Sequence, residues 1–286
     1  MNVKNSLVKT QKQTFSAFLS TDAMKKKINE MVGGEKGQQF ITAIISAVST
    51  NPQLAECDHS TILSAALVGQ ALNLSPSPQL GQYYMVPFND NKRGCKVAQF
   101  QIGYKGYIQL AIRSGYYKKL NVLAIKEGEL VKYDALNEDI EVKLIEDEEE
   151  REKAPTIGYY AMFEYLNGFR KTLYWTKKHM EAHAEKYSMG YKAHKGYTFW
   201  EKDFDGMAYK TMLRQLISKW GIMSVDMQKA MESDMAEIKE DGTYEYVDNE
   251  FEVTESIQEE TQQEQQAVTE NTEDNSTNED DPFLQK

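Results

Sequence analysis

Two pairs of alternating segments, each joined by turn residues, constrain the fold of this chain more than any other feature. In the first pair, over 82–102, QYYMVPF and CKVAQFQI flank NDNKRG. In the second, TIGYYAMFEY and FRKTLYW flank LNG, with a turn at Asn167-Gly168. Alternation of apolar and polar residues is typical of strands with one buried face, and Asn-Gly is a strong signal for a tight turn. The sequence therefore predicts antiparallel β-hairpins.

Helical periodicity flanks the hairpins on both sides. Apolar residues at helical spacing follow Gln38, and Pro52 ends that run. Two strand-like stretches, LNVLAI and IEVKLI, lie between the hairpins. Helices followed by strands and then by helices favour an α+β fold with an antiparallel sheet. Besides the run that begins at Gln38, helices are predicted over 60–73, 105–113, 176–187 and 203–220.

Charge is distributed unevenly along the chain. Of the 286 residues, 33 are Lys or Arg and 44 are Asp or Glu, for a net charge of -11. Residues 227–286 hold 3 of the basic and 19 of the acidic residues, which leaves 30 and 25 in 1–226. The body therefore carries +5 and the tail -16. This asymmetry is typical of a basic working domain with an acidic appendage.

Composition also divides the chain. Beyond Asp241 it is rich in Glu, Gln, Thr and Asn, so it buries too little apolar surface to offset chain entropy. A methionine at every fourth position predicts one face of a helix, which packs on the body or a neighbouring subunit or forms a partner groove. The four are Met223, Met227, Met231 and Met235. The predicted regions are an N-terminal extension (1–36), a core (37–225), a Met-rich helix (226–240) and a disordered acidic tail (241–286).

Several classes of protein are disfavoured. Only two cysteines occur, Cys57 and Cys95, too few and too far apart for a disulfide framework or a structural zinc site. The most apolar window, FITAIISAV over 40–48, is far shorter than the ~18 residues that span a bilayer. None of the 17 glycines is followed by lysine, so the G-K-[ST] end of a nucleotide-binding loop is absent. We therefore expect a soluble cytoplasmic protein that is not an ATP-driven motor.

Two stretches set cations among aromatic residues. The first is GYKGYIQLAIRSGYYKKL over 103–120, and the second is SMGYKAHKGYTFWEKDFDGMAYKTMLRQLISKW over 188–220. Single strands offer phosphates to cations and base faces to aromatic rings. One such stretch is more simply a solvated face, but its recurrence favours nucleic-acid binding. The sequence has no zinc finger, basic zipper or aromatic RNA-recognition signature, which favours backbone binding without sequence choice.

The predicted DNA contacts come from both stretches. On a helical wheel Lys105 and Arg113 share an exposed edge, and Lys210 and Arg214 lie opposite an apolar face that includes Trp220. Aromatic residues nearby either position bases or pack in the core or a subunit interface. The candidate DNA-binding residues are Lys105, Arg113, Lys118, Lys119, Lys192, Lys195, Lys210, Arg214, Tyr191, Phe199 and Trp200.

Two metal-dependent alternatives rest on weaker patterns. Asp134 followed by Glu141-x-Lys143 has the form of a magnesium nuclease site, although such triplets are frequent in a charged chain and EDEEERE over 146–152 is more simply a solvated loop. The histidines of HMEAH over 179–183, with His194, lack the glutamate position of the H-E-x-x-H zinc motif. The sequence therefore predicts neither a metal nor a cofactor, and the nuclease stays a remote alternative.

The same two stretches resemble the RecT family of phage and prophage single-strand annealing proteins. The similar residues are Gly103-Tyr104-Lys105-Gly106, Leu110-Ala111, Arg113-Ser114-Gly115, Trp200, Met207, Lys210-Thr211, Arg214 and Leu216, within a resemblance over about 40–225. The resemblance implies a curved antiparallel hairpin sheet backed by a long helix. It also implies a recombinase that needs no ATP, coats single-stranded DNA, pairs it with its complement and works as a ring or helical homo-oligomer.

Partners follow from the resemblance and from the tail. Family members act in the bacterial host cell beside an exonuclease that makes the single strand. The segment Glu279–Phe283 resembles the acidic tip of bacterial single-stranded DNA-binding proteins, so the tail either competes with DNA, docks on a replication partner or only solvates the chain. The helices over 21–73 and the methionines are candidate subunit interfaces. A coating or exonuclease-adaptor protein that does not pair strands is the alternative function.

Overall fold

The computed structural model describes residues 13–196, 198–239 and 243–245, all within one unit, Met1–Val247. Its order of helices, strands and helices confirms the predicted α+β fold. Among the described residues, no helix is both long and apolar enough to cross a membrane. The disorder predicted for the tail falls outside the described residues, apart from 243–245.

Five helices form the N-terminal layer. Side-chain caps begin four of them, since Thr14, Thr21, Asn51 and Asp58 each accept a hydrogen bond from a backbone N–H of the first turn. The run predicted from Gln38 is part of the third helix, which starts earlier and ends before Pro52 as predicted. The helices are α1 (Phe15–Leu19), α2 (Asp22–Val32), α3 (Gly34–Ser49), α4 (Pro52–Ala55) and α5 (His59–Ala71).

The first hairpin packs on these helices. Strands β1 (Tyr83–Asp90) and β2 (Cys95–Ile102) pair antiparallel with Tyr83 opposite Ile102, which confirms the hairpin predicted over 82–102. Asp90 fixes the turn because its carboxylate accepts from the backbone N–H of Lys92 and of Arg93, at 2.8 and 3.0 Å. The apolar side chains of the hairpin form one buried core with those of the five helices.

A three-stranded antiparallel sheet forms the second layer. Its order is β3 (Tyr117–Lys126), β6 (Thr156–Tyr165) and β7 (Arg170–Thr176), and the hairpin of β6 and β7 has the predicted turn. The stretch 146–152, predicted to be a loop, contains a short helix, because Asp147 caps its first turn and Arg151 donates to buried Glu129. The elements are α6 (Tyr104–Ser114), β3 (Tyr117–Lys126), β4 (Leu130–Asp134), β5 (Asp139–Val142), α7 (Glu148–Lys153), β6 (Thr156–Tyr165) and β7 (Arg170–Thr176).

A 17-residue helix, α11, backs this sheet, as the resemblance implied. Met212 and Leu216 pack with Tyr159 and Phe163 of the sheet in one buried cluster. The remaining elements are α8 (Lys177–Tyr187), α9 (Met189–Lys192), α10 (Phe199–Lys202), α11 (Phe204–Trp220), α12 (Val225–Ser233), β8 (Glu237–Ile238) and β9 (Tyr244–Glu245).

Helix α11 is buried on two sides. Leu213 and Ile217 face away from the sheet into the core formed by the N-terminal helices and the first hairpin. The predicted exposed side of this helix is therefore wrong, since Lys210 and Thr211 are buried, whereas Trp220 of the predicted apolar face is 48% exposed. The reason is that α6 and Asp234, which follows α12, cover this side of the helix, and the periodicity of one helix does not reveal those neighbours.

The chain after α11 closes on the first hairpin. Helix α12 ends at Ser233 and Met235 adopts a φ of 64°, so the prediction that four methionines line one helix face is wrong. The next residues run along β2, where Met235 donates to the Phe100 carbonyl at 2.8 Å and Phe100 donates to the Ala236 carbonyl at 3.1 Å. Strand β9 pairs with β8, so regular structure extends into the segment predicted to be disordered.

The contact between α5 and the first hairpin should tolerate no added methyl group. A Cβ on Gly69 would overlap the fully buried ring of Tyr83, which stacks on Phe100 at 5.2 Å. We expect Gly69→Ala to lower the free energy of unfolding by about 1–3 kcal/mol, because overpacking outweighs the gain in helix propensity. Urea unfolding measures the change. Ser64→Ala on the same helix is the control and should keep its midpoint, and an equally stable Gly69→Ala would contradict the packing.

Candidate nucleic-acid interface

The two cation-rich stretches meet in the fold. Helix α6 packs on α11, and the ring of Tyr104 meets the ring of Tyr209 edge-on, with centroids 5.5 Å apart. Tyr209 is held in turn by the sheet, since its hydroxyl accepts from the Ala124 N–H at 3.3 Å. The N-terminal ends of both helices therefore lie side by side at one end of the sheet.

The first hairpin contributes an aromatic residue to the same place. Tyr84 of β1 lies 5.6 Å from Phe199 at the start of α10, and the ring of Phe199 is 39% exposed. Burial raises the pKa of Tyr84, and the neighbouring Asp203 and Tyr104 raise it further. Four separate elements, α6, α10, α11 and β1, thus bring rings to one half-exposed cluster.

Lys105 stands beside this cluster because the backbone comes unusually close there. The Gly103 N–H donates to the Gln82 carbonyl at 2.9 Å, and a Cβ on Gly103 would overlap the Gly81 carbonyl. The glycine at the start of the GYKG motif therefore lets α6 press against the residues before β1. Lys105 is exposed with its Nζ 5.9 Å from the ring of Tyr104.

Two further lysines lie close together in the sequence, Lys192 at the last position of α9 and Lys195 in the loop between α9 and α10. Lys192 and Lys195 are exposed, and no described residue pairs with either. Glu201 holds the loop, since it accepts from the Thr198 hydroxyl at 2.7 Å and the Gly196 N–H at 2.8 Å. These hydrogen bonds, that of Thr198 first, lower the pKa of Glu201. The carboxylate of Glu201 is therefore occupied by hydrogen bonds from the loop.

We call this arrangement the lysine–aromatic surface. It consists of Lys105, Lys192, Lys195, Tyr84 and Phe199. Phe199 connects the lysines of the 188–203 segment with Lys105. It directly follows the loop that contains Lys195, and its ring contacts Tyr84, which lies beside Gly81 and the Lys105 stem. Mobile cations beside half-exposed rings are suited to phosphates and base faces.

Lys210 and Arg214 are not part of that surface. Lys210 is 5% exposed and its Nζ lies 2.9 Å from the Asp234 carboxylate, which Arg214 also approaches at 3.7 Å. The same carboxylate accepts from the Ile102 N–H at 3.1 Å. Buried Tyr107 lies next to it, and burial together with the Asp234 charge raises the pKa of that phenol. Asp234 therefore ties α11 to β2 from the far end of α12.

Trp200 and Tyr191 are packing residues. Trp200 is buried and meets Phe204 edge-on at 5.2 Å. Tyr191 is half-buried and lies 6.2 Å from Trp200 and 6.1 Å from Phe204. Together they attach α9 and α10 to the start of α11, which fixes the segment that carries Lys192 and Lys195.

Arg113 caps a neighbouring helix. Its guanidinium donates to the carbonyls of Leu72 and Asn73, at 2.5 and 3.1 Å, just past the end of α5. A cation at the carbonyl end of a helix is stabilising because it meets the negative end of the helix dipole. Arg113 therefore lies away from Lys105, although both are on the exposed side of α6.

Lys118 and Lys119 lie at the opposite end of the sheet from the lysine–aromatic surface. An irregularity in the pairing of β3 with β6 lets these adjacent lysines reach one carboxylate, with their Nζ atoms 2.6 and 3.6 Å from Glu164. The hydrogen bond from Lys118 lowers the pKa of Glu164. The exposed lysines among the predicted contacts thus lie in two separate places.

The metal-dependent alternatives gain no site within the described residues, where no group of three His, Cys, Asp or Glu side chains is arranged to hold a metal ion. Asp134 instead accepts from the N–H groups of Leu136 and Asn137 in its own turn. His179 stacks on Trp175 at 4.2 Å, while burial lowers the pKa of His183 to about 4.

Sequence reasoning missed Tyr84, a member of the site, and Asp203, its neighbour. Tyr84 lies in a hairpin strand whose alternation indicates only that one face is exposed. Asp203 caps α11 by accepting from the Gly206 N–H at 2.9 Å, and a capping aspartate before a helix was a readable signal.

An α+β protein with a helix-backed antiparallel sheet and exposed lysines among aromatic rings is suited to single-stranded nucleic acid. Residues 38–255 match the model of the RecT family, and the chain belongs to that family. It is similar to Uncharacterized protein YqaK of Bacillus subtilis (strain 168), with 41% identity over 98% of this chain and 89% of that protein. Protein RecT of Escherichia coli (strain K12) is 28% identical over 77% of this chain and 80% of that protein. The chain is therefore a DNA-binding protein of the single-strand annealing, recombination class.

The buried Lys210–Asp234 pair should matter for stability. We expect Lys210→Met to lower the free energy of unfolding by about 3–5 kcal/mol, because it leaves a carboxylate buried without its main partner. The double variant Lys210→Met, Asp234→Leu should lose less free energy of unfolding than the sum of the losses of the two single variants. Denaturant unfolding measures all three.

Lys96→Met is the matched control, because it removes the same charge from an exposed pair with Glu56 and should change stability far less. If Lys210→Met were as mild as the control, Lys210 would not anchor the fold and a direct contact with DNA would again be the better explanation.

Proposed function

We propose that this chain pairs complementary DNA strands without hydrolysing a nucleotide, and that the lysine–aromatic surface holds the single strand. The observation that carries the proposal is the convergence of two distant stretches, 103–106 and 188–203, on one exposed set of cations and rings. Each stretch alone is compatible with a solvated face. Brought together beside Tyr84 and Phe199, they offer what a single strand requires.

Lysines would neutralise the phosphates. Lys105, Lys192 and Lys195 are exposed, and none of their ammonium groups pairs with a carboxylate of the described residues. Glu201 and Tyr191 hold the segment that carries Lys192 and Lys195 through other contacts. Each neutralised phosphate releases condensed counterions, so the logarithm of affinity should fall with the logarithm of salt by about 0.7 per contact for a single strand. Affinity gained in this way is independent of sequence.

Rings would position the bases. Phe199 offers a partly exposed ring supported from behind by Tyr84, and stacking of a base on an aromatic ring contributes about 1–3 kcal/mol. Every base has such a face, so stacking also tolerates any sequence. Because Watson–Crick edges stay free, a strand held by phosphates and stacking can test a complement.

The other predicted residues act at a distance from the strand in this proposal. Lys210, Arg214, Trp200, Tyr191 and Arg113 hold the layers on which the surface is built. A phosphate would have to displace Asp234 before it reached Lys210, at the cost of a buried ion pair.

Assembly and partners complete the proposal. A homo-oligomer, as a ring or helical filament, would bring many such surfaces along one strand in the bacterial cytoplasm, and annealed duplex would be its product. An exonuclease would supply the single strand, and the host single-stranded DNA-binding protein is a candidate competitor or partner. The acidic tail, whose structure lies outside the described residues beyond 245, would compete with DNA for the lysines at low salt.

Removing the three lysines should weaken binding and flatten its salt dependence. For Lys105→Ala, Lys192→Ala and Lys195→Ala combined, we expect the slope of log affinity against log salt to fall by up to about 2. Fluorescence anisotropy with a labelled poly-dT oligonucleotide over a salt series measures both quantities. The control replaces Lys25, Lys26 and Lys27, three exposed lysines of α2, with alanine. Equal losses in both variants would show that binding follows net charge and not this surface.

Strand pairing itself is tested with two labelled complementary oligonucleotides, without nucleotide triphosphate. We expect the chain to accelerate pairing, as followed by fluorescence transfer, and the triple lysine variant to lose most of the acceleration. Light scattering would show a large assembly when both strands are present. Binding without faster pairing would favour the coating or adaptor function, and shortening of a strand in Mg²⁺ would favour a nuclease.

A further inference from the structure

An exposed apolar surface lies at the C-terminal end of α11, far from the lysine–aromatic surface. Buried Tyr165 is its centre: its ring stacks with Phe169 at 6.0 Å and its hydroxyl accepts from the Ile222 N–H. Leu166 follows Tyr165 and donates to the Tyr116 carbonyl at 3.2 Å. The large side chains there are between 42% and 71% exposed. They are Tyr116, Leu166, Phe169, Trp220 and Ile222.

Cations surround these apolar side chains. Lys118, Lys119, Arg170 and Lys219 are exposed around them, and Glu164 is the carboxylate that Lys118 and Lys119 share. Lys171 lies 3.7 Å above the ring of Trp220 and is paired with Glu138. We call the apolar residues and the four exposed cations the basic end; with Lys171 its five cations outnumber the three carboxylates beside them, Glu138, Asp139 and Glu164.

The opposite end of the same sheet has the complementary composition. Helix α7 is fixed there, because Arg151 donates to the Ala124 carbonyl at 2.9 Å near the end of β3. Its surroundings carry exposed carboxylates and, just before the helix, the exposed apolar side chain of Leu144. We call this the acidic end. Its exposed carboxylates are Glu146, Asp147, Glu148, Glu149, Glu150 and Glu152.

The direction of β3 relates the two ends. This strand has 10 residues and runs from Tyr117 at the basic end to Lys126 at the acidic end, a span of about 30 Å at ~3.3 Å per residue. Two unlike, complementary surfaces at opposite ends of one rigid element cannot satisfy each other within one chain. They can do so between two copies in a head-to-tail contact, which repeats without limit or closes as a ring.

We infer that the basic end is the subunit interface and that it receives the acidic end of a second copy of this chain. The inference rests on the oligomer in the proposed function and names its contact surfaces. In this contact the apolar side chains of the basic end, surrounded by cations, meet Leu144 of the acidic end, surrounded by carboxylates. Interfaces commonly have such a hydrophobic core and a charged rim. Lys118 and Lys119 then serve assembly and not DNA.

Two other occupants fit the basic end less well. A DNA strand would find cations and the exposed rings of Tyr116, Phe169 and Trp220 there, but it would leave the acidic end of the molecule without a partner. The acidic tail has the right charge, yet it would leave the complementary acidic end of the molecule without a function. A second copy accounts for both ends at once.

Charge reversal tests the inference on the full chain, with and without single-stranded DNA. One variant carries Lys119→Glu and Arg170→Glu and keeps the Lys118–Glu164 bond, and the other carries Glu148→Lys and Glu152→Lys. We expect each alone to need at least tenfold more protein to assemble, by mass photometry. An equal mixture should assemble like the parent, because both kinds of contact in it join opposite charges, and so should the chain with all four changes.

The control and the remaining outcomes are equally specific. Lys25→Glu with Lys26→Glu makes the same change in charge on α2 and should leave assembly intact; its dissociation would place the interface on the N-terminal helices instead. The inference is wrong if the single reversals assemble normally, if the mixture stays dissociated, or if the Lys119/Arg170 variant assembles but loses oligonucleotide binding, which would assign the basic end to DNA. A parent that assembles but does not pair strands would refute the proposed function and leave this inference standing.

Discussion

The burial of α11 on two sides is the constraint on which the rest of the structure depends. One side packs on the sheet through Met212 and Leu216, and the other packs on the helical layer through Leu213 and Ile217. A helix in that position has little surface left for a ligand along its length. Its polar residues must therefore find partners inside, and Lys210 finds Asp234 at the point where the chain returns from α12.

This constraint moves function to the two ends of the helix. At 17 residues α11 is about 25 Å long, so groups at its N-terminal end cannot share a small ligand with groups at its C-terminal end. Tyr209 near the start meets Tyr104 beside Lys105, whereas Trp220 at the end meets Lys171. Because the middle of α11 is buried and its ends are about 25 Å apart, cations that look alike in the sequence lie on separate surfaces.

The sequence predicted local features well and their environments poorly. Both hairpins and the long helices follow from alternation, turn residues and periodicity, each of which acts over a few residues. The burial of Lys210 depends on Asp234, which lies 24 residues further on, and no local pattern reports that pairing. The methionine spacing failed for the same reason, because backbone bonds between Met235 and Phe100 end the helical path. Tyr84 joins the site through its contact with Phe199, across a large separation in sequence, and through its place beside the Lys105 stem.

Separate ends also give annealing a geometric basis. A head-to-tail stack along β3 would repeat the lysine–aromatic surface at intervals of at least the ~30 Å of that strand. A strand with the ~3.4 Å per nucleotide of a B-form strand would then place at least about nine nucleotides between equivalent lysines. Only a few phosphates per subunit need be held, so the bases between them stay free to meet a complement. Weak contacts repeated along a polymer hold a long strand firmly while each subunit releases its own stretch easily, which is what a search for a complementary strand requires.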